Sequence, residues 1–451
     1  MTGIWIITSI LLIVISASLL LVSTRGFRVI APAHLFFIYY ILFIYIGSML
    51  KFAGSPDQYA QTYRVISLGL FFFSIGVLFS SFYHNFSAIK ELNKIKLQPL
   101  KDPWRKPVSM HAIFCLCLCG FALSFLYFYH AGGIPAFAAL VETARVEATR
   151  GGGYFWLGIS ILLPFVCLIF IGKALAYKSK KITVQSALFF LITSLIMFFT
   201  ATKDLIPFFL LWIVFFFQFY SGRINKKLLL VPFISLAIAI AMAGFTMSHK
   251  LEVGYNKGFF SFALEMFSQR VFFAVVNVVH FIVENFPEKY PFLLGYSYWM
   301  NLRAALPGAD IGFGGWINME AFNMGGGATV PMIAEFYANF GELGAYSGML
   351  LAGFIVQSIY IYLLRSLATE KRLDTLISIT FLGMGLVTLA INSVFGYLFY
   401  TLIPVLACFC FLKFLCHFLT DVVYGQFTHY GVRTSSGPTT RNAYEESLEK
   451  P

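Results

Sequence analysis

Apolar runs of roughly 20 residues recur along most of this chain, separated by short polar breaks, which is the spacing of helices that cross a bilayer. Eleven such runs are legible, at about 3–23, 29–50, 65–84, 109–130, 154–173, 184–202, 205–221, 228–248, 343–364, 375–396 and 398–418. Only Lys203-Asp204 divides the runs 184–202 and 205–221, so one broken span is the alternative there. The first run lacks a basic flank before it and a small-residue cleavage site after it, and it reads as a retained span rather than a signal peptide. The expected class is all-α: a polytopic membrane domain over 1–420, followed by a tail, 421–451, whose composition predicts disorder.

The apolar pattern breaks at length only once, between Ser248 and Leu343. Within this stretch, 259–286 reads as an amphipathic helix. Arg270, Asn277 and Glu284 recur every seven residues on one stripe, with His280 beside them and Phe, Val and Ile opposite. The stripe is not Lys-rich, as a helix lying on lipid headgroups would be, and is expected to roof or line a polar cavity. Pro287 and Pro291 end it. A short helix over about 330–340 puts Glu335 and Asn339 on one face and Met332, Phe336 and Phe340 on the other. Two glycine clusters lie between them: Gly312, Gly314 and Gly315, then Gly325, Gly326 and Gly327. They could form backbone anion nests, but neither is followed by Lys-Ser/Thr, so no nucleotide P-loop is present and a flexible loop or lid is the expectation. Gly341, Gly344 and Gly348 read as close-packing positions at the start of the ninth span.

Charge adds orientation. The chain carries +12 overall, which in a soluble protein would raise nucleic acid as a partner. With the N-terminus outside, however, 22 of the 32 basic residues but only 8 of the 20 acidic ones fall in the inner loops and the tail. The basic excess therefore lies where lysine and arginine face the anionic inner leaflet, and no nucleic acid is needed to explain it. This places 131–154, the turn 202–207 and 249–342 outside, and the loop around 85–108, with Pro99, Pro103 and Pro107, inside as a linker. The seven cysteines all lie in spans, and Cys115, Cys117 and Cys119 point around a helix rather than toward one metal.

Candidate chemistry gathers in the outer segments. Arg145 and Arg150 share one loop, Lys203 sits in a turn, and Arg270 and Arg303 lie in the long segment. Guanidinium groups grip phosphate oxygens in pairs, so a convergence of these loops would suit a pyrophosphate. The plainer reading is a set of anchors at the membrane surface. Glu335, Glu320, Asp310, Glu284 and His280 could each supply a general base, and spacing does not choose among them. No HExxH, GxSxG, outer His/Cys cluster or outer Asp-x-Asp pair occurs, and the spans hold few ionisable groups. That argues against a metal-bridged sugar nucleotide and against an ion-coupled transporter.

Four strings carry a resemblance: ETARVEATRGGGYFW, ATKDLIPFF, LLGYSYWMNLRAALPG, and GGGATVPMIAEFYANFGELGAYSGMLLAGF entering a span. With the many-span topology, they make the chain similar to the Wzy family of oligosaccharide repeat unit polymerases, the O-antigen polymerases. The likeness covers roughly 110–365. It implies a GT-C-like, metal-independent, inverting glycosyltransferase of the bacterial inner membrane, with a periplasmic N-terminus and a cytoplasmic C-terminus. The substrates it implies are oligosaccharides on undecaprenyl pyrophosphate, polymerised to O-antigen or capsular polysaccharide at the periplasmic face. No cofactor is implied; membrane lipid and a chain-length regulator protein are the further partners. On this likeness the outer arginines Arg145, Arg150, Arg270 and Arg303, with Lys203 in the turn, meet the pyrophosphate; the chemistry adds Glu335 or His280 as the base near the acceptor, so that Arg270, Glu335 and His280 form the expected catalytic group and Tyr337 joins the substrate-binding residues. The alternatives are an O-antigen ligase, a lipid-linked oligosaccharide flippase or other transporter, and a non-catalytic envelope subunit. A flippase predicts charged spans and repeated halves, and neither is legible.

Overall fold

The computed structural model describes residues 2–24, 30–52, 59–96, 101–102, 107–138, 153–202, 205–222, parts of 230–242, 259–269, 273–304, 311–323, 328–388 and 402–429. Among these no strand occurs; one isolated bridge pairs Lys101 with Arg372. The main elements are α1 (Thr2–Thr24), α2 (Pro32–Phe52, with a π-helical stretch at Tyr40–Ile46), α3 (Ala60–Tyr83), α4 (Ala88–Lys96), α5 (Pro107–His130), α6 (Tyr154–Tyr177), α7 (Lys180–Phe199) and α8 (Leu205–Ser221). After them come α9 (Phe259–Ser268), α10 (Ala274–Asn285), α11 (Tyr296–Ala304), α12 (Phe313–Phe322), α13 (Met332–Glu370), α14 (Leu373–Thr388) and α15 (Ile403–His429).

Among the described residues seven helices are long and apolar enough to cross a membrane: Ile7–Thr24, Pro32–Phe52, Ala60–Tyr83, Ser109–Phe137, Tyr154–Tyr177, Lys180–Phe199 and Met332–Glu370. Each matches an expected span. The runs 205–221, 375–396 and 398–418 appear as α8, α14 and α15, and 228–248 lies largely outside the described residues. The run pair around Lys203-Asp204 forms two separate helices, α7 and α8. α15 continues to His429, nine residues beyond the boundary drawn at 420. The rest of the tail lies outside the described residues. An all-α membrane protein is thus the observed class.

Two apolar cores fill the bundle. One gathers Leu163, Phe165, Leu168 and Ile169 of α6 with residues of α5, α8, α14 and α15; the other joins α1, α2, α3, α10, α12 and the start of α13. Phenylalanine supplies much of both, as it does where a core must be apolar throughout and shape alone gives specificity.

α3 and α13 make the closest helix pair. A Cβ added to Gly76 would come within 2.0 Å of the Leu350 carbonyl oxygen, and one on Gly353 within 2.1 Å of the Phe73 carbonyl oxygen. Backbone therefore packs directly on backbone, which only glycine permits. Below this contact Ser80 Oγ meets Ser358 Oγ at 2.9 Å, and Gln357 Nε2 donates to Ser81 Oγ at 2.9 Å. Gly76→Leu is expected to force the helices apart and cost about 1–3 kcal/mol, the usual range for overpacking. Thermal unfolding of the purified protein in detergent would show the loss; an unchanged midpoint would contradict the contact.

At the far end of α3 the chain is pinned by ionic contacts. Lys173 Nζ donates to Asp102 Oδ2 at 2.8 Å, with both side chains buried, and Tyr177 Oη donates to the same oxygen at 2.8 Å. Lys101 N donates to Lys371 O at 2.8 Å and Leu373 N to Lys101 O at 2.9 Å. The linker around 85–108 is therefore fastened at 101–102.

α13 is not one continuous helix. Gly341 has φ 67° and ψ −157°, so the chain turns back there. The short limb, 332–340, lies against the long limb, 342–370: Phe340 stands on Gly344 and Phe336 on Gly348. The expected packing role of these glycines holds, with one refinement. Gly341 is needed for its left-handed φ, and the other two for the rings laid over them.

Candidate functional site

The short limb of α13 carries the first cluster. Glu335 is 0% exposed. Its Oε1 accepts from Asn301 Nδ2 at 2.8 Å and from Ser297 Oγ at 3.3 Å, both on α11. Asn339, one turn on and also wholly buried, donates through Nδ2 to Ser297 Oγ at 2.6 Å and to the Glu335 carbonyl at 2.8 Å, while its Oδ1 accepts from Gly295 N at 2.8 Å. Asn301 closes the set, its Oδ1 accepting from Phe313 N at 3.0 Å at the start of α12. Three segments are thus stitched together by one carboxylate and two amides. Burial, and secondarily the charge of Glu335, pushes the Tyr298 phenol above its ordinary range. The solvated or capping role open to a glutamate in a short amphipathic helix does not hold here: the polar face of this helix is buried, as is most of its apolar face.

The second cluster sits at the first turn of α3. Gln61 Nε2 donates to Tyr337 Oη at 3.0 Å. Its neighbour Thr62 shares a hydrogen bond with His280 Nδ1 at 3.2 Å, and His280 Nε2 lies 3.2 Å from Glu284 Oε2. Arg64 pairs with Glu342, the residue after the Gly341 turn. Phe52 and Tyr59 pack their rings on the His280 imidazole. Burial lowers the His280 pKa from its ordinary value, against an upward pull from Glu284. The ring is therefore neutral near pH 7 and able to accept a proton. Carboxylate, imidazole and hydroxyl stand in the order of a proton relay. Thr62 is only 2% exposed, however, and orients the ring rather than attacking anything. Glu284 is largely exposed, so Nε2 is the nitrogen that an incoming hydroxyl could reach.

Two of the expected site residues, His280 and Tyr337, are thus brought to adjacent residues of one helix turn. Glu335 shares the short limb with Tyr337 but holds a different set of partners. Arg303 lies exposed in the last turn of α11, two residues beyond Asn301. Glu320 accepts from Tyr290 Oη at 2.8 Å, away from both clusters. Arg145, Arg150, Lys203, Arg270 and Asp310 lie outside the described residues. The expected 259–286 helix is present as α9 and α10, with 270–272 between them outside the described residues.

Gly312, Gly314 and Gly315 do not form a flexible loop. They open α12, with Ala328 N donating to Gly314 O at 2.8 Å. Gly325, Gly326 and Gly327 lie outside the described residues. Among the described residues no group of three or more His, Cys, Asp or Glu could hold a metal ion.

Arg64, Glu342, Ser297 and Asn301 escaped the sequence reading. Arg64 falls at the edge of an apolar run, where a basic residue reads as a flank. The string YSYWMNLRAAL carries Ser297 and Asn301 four residues apart, which is one helix face; that spacing was the available signal. No family model matches this chain, nor does any curated protein sequence or solved structure.

Proposed function

We propose that the protein is a GT-C-like glycosyltransferase that polymerises oligosaccharide repeat units carried on undecaprenyl pyrophosphate, at the periplasmic face of the bacterial inner membrane. The observation that carries the reading is that one turn at the start of α3 holds both Thr62, which orients the His280 ring of α10, and the exposed Arg64. An acceptor hydroxyl attacking an anomeric carbon must lose a proton, and the departing pyrophosphate must be met by positive charge. In this reading His280 Nε2 takes the proton, with Glu284 giving way to the acceptor. Arg64 joins Arg270, Arg303, Arg145, Arg150 and Lys203 as donors to the pyrophosphate. Tyr337, fixed by Gln61 and only 2% exposed, holds the short limb of α13 against the first turn of α3 rather than meeting the sugar, and Glu335 holds α11 in register. The family likeness of the string entering α13 supports the same assignment.

The direct test is synthesis. Purified protein in proteoliposomes, given lipid-linked single repeat units, is expected to yield a ladder of long chains, and to do so in the presence of a chelator because no outer Asp-x-Asp pair offers a metal bridge. Transfer of a chain onto lipid A–core instead would make it a ligase, and movement of the lipid-linked unit without bond formation a flippase.

A pH profile tests the base. The folded pKa of His280 is depressed below the ordinary value of 6.5. Activity is therefore expected to be full at pH 7 and to fall as pH drops through that lower value. His280→Gln should slow transfer by about 100-fold or more, the scale of general base catalysis, and abolish the acid limb. The stability sign is the same. The unfolded chain binds the proton more readily than the folded one, so the contribution of His280 is present above 6.5 and declines below it. An acid limb unchanged in the Gln variant would remove His280 from the role.

A further inference from the structure

We infer that Glu342 is an internal stand-in for phosphate: its carboxylate holds Arg64 between turnovers, gives way to an incoming pyrophosphate, and returns to hasten release of the product. Pyrophosphate as the incoming anion rests on the functional reading above, whereas the exchange at Arg64 rests on the ion pair alone.

Stability does not account for the pair. The Arg64 and Glu342 side chains are 42% and 35% exposed. In an ion pair so open to water, hydration of the separated charges nearly offsets their attraction, and the net contribution to folding is small. The contacts of Gly76 with Leu350 and of Gly353 with Phe73 already fix α3 against the long limb of α13. Orientation does not account for it either. At the outer end of a span a basic residue has no topological role.

The pair does have the chemistry of a phosphate site. A guanidinium binds carboxylate and phosphate through the same planar fork, so one can replace the other without re-aiming the arginine. Arg64 stands near the start of α3, whose first turn holds no acidic residue and whose N-cap, Tyr59, makes no side-chain capping bond. The positive end of a helix favours an anion. Here the anion comes from another helix, 278 residues away in sequence. Gln61, three residues before Arg64 and exposed, is held in place by donating Nε2 to Tyr337 Oη at 3.0 Å.

Turnover gives the exchange a purpose. Pyrophosphate carries more charge than a carboxylate and offers more acceptor oxygens, so it displaces Glu342 readily. After transfer the same affinity would retain the pyrophosphate product. A polymerase acts many times per chain, and product release limits many enzymes. A carboxylate tethered beside the arginine competes with the product throughout its stay. Glu288, close enough to act on Tyr337, adds a second negative charge nearby and works in the same direction.

Calorimetric titration of inorganic pyrophosphate, with a chelator present, into the full-length protein in a phosphate-free detergent tests this. Glu342→Gln is expected to tighten binding about fivefold, the scale of one exposed ion pair. Arg64→Gln should weaken it about tenfold or more, the scale of a hydrogen bond to a charged group. Glu342→Ala removes the same carboxylate by a different change and should follow the glutamine variant. In the polymerisation assay Glu342→Gln should lower KM and kcat together, because the product leaves more slowly; a residue that only packs would not lower KM. Weaker binding in both Glu342 variants would mean that the carboxylate aims Arg64 at its ligand. That result, or unchanged binding, overturns the proposal. A lipid headgroup is the other source of phosphate. If the tightening in Glu342→Gln disappears in phosphatidylglycerol nanodiscs, a headgroup is the occupant and the pyrophosphate assignment falls. If pyrophosphate binds as expected but no glycan ladder forms, the exchange at Arg64 stands and the polymerase reading falls.

Discussion

Glu335→Ala is expected to yield little stable protein and no long glycan, whereas Glu335→Gln should keep both within a few-fold of wild type. The alanine variant removes the acceptor for Asn301 Nδ2 and Ser297 Oγ in a fully buried setting. Each orphaned buried donor costs about 1–3 kcal/mol, so the expected loss is about 2–6 kcal/mol, comparable to the stability of a whole domain. α11 would then lose its register against α13, and Arg303, two residues beyond Asn301, would move with it. Glutamine retains an oxygen where Oε1 stands and can keep both bonds. The comparison separates positioning from chemistry. If Glu335 is the general base, glutamine must fold normally and fail to transfer. If it is a positioning residue, glutamine rescues, and its kcat and pH profile match wild type. Thermal midpoint, kcat, KM and the acid limb, measured on both variants, decide between the two. A well-folded, inactive Glu335→Gln would move the base from His280 to Glu335.

Much of the architecture was legible because a bilayer imposes a length rule. Apolar runs near 20 residues favour spanning helices there, and among the described residues seven of the expected eleven appear as helices of spanning length. The short helix at 330–340 was also legible, from the three- and four-residue spacing of Glu335, Asn339, Met332 and Phe336. Its environment was not. Periodicity separates two faces of a helix but does not say how much of either is covered by the rest of the chain. A glutamate on the polar stripe of a short helix reads as solvated, yet Glu335 and Asn339 are wholly buried, because Ser297 and Asn301 of α11 close over them. Glycine gave a similar lesson. The cluster at Gly312–Gly315 resembles a loop in composition, but Asn301 caps its first amide and Ala328 closes over Gly314, and neither contact is local in sequence. Arg64 was missed for a different reason. Its partner, Glu342, lies 278 residues away, and the packing of α3 on the long limb of α13 brings the two together.

That reversal is the most fragile point of the site, and Gly341→Val should lose activity and stability together. Two independent costs fall on one atom. Gly341 has φ 67°, where a β-branched residue pays about 1–3 kcal/mol of backbone strain. A Cβ there would also stand 2.9 Å from the Phe292 ring, and relieving such crowding costs about 1–3 kcal/mol more. The expected total, about 2–6 kcal/mol, would straighten the turn toward one continuous helix. Straightening would lift Phe336 off Gly348 and withdraw Tyr337 from Gln61 in a single movement. Phe292→Ala makes the two costs separable. In the Gly341→Ala, Phe292→Ala double variant the clash is gone and only the φ strain remains, so part of the thermal midpoint lost in Gly341→Ala should return. Gly341→Asn, which tolerates a left-handed φ better, should be milder than alanine in the Phe292→Ala background. If Gly341→Val unfolds at the wild-type temperature and elongates chains normally, the turn is not what aligns these residues. The assignment of His280, Arg64 and Tyr337 to one site would then fall with it.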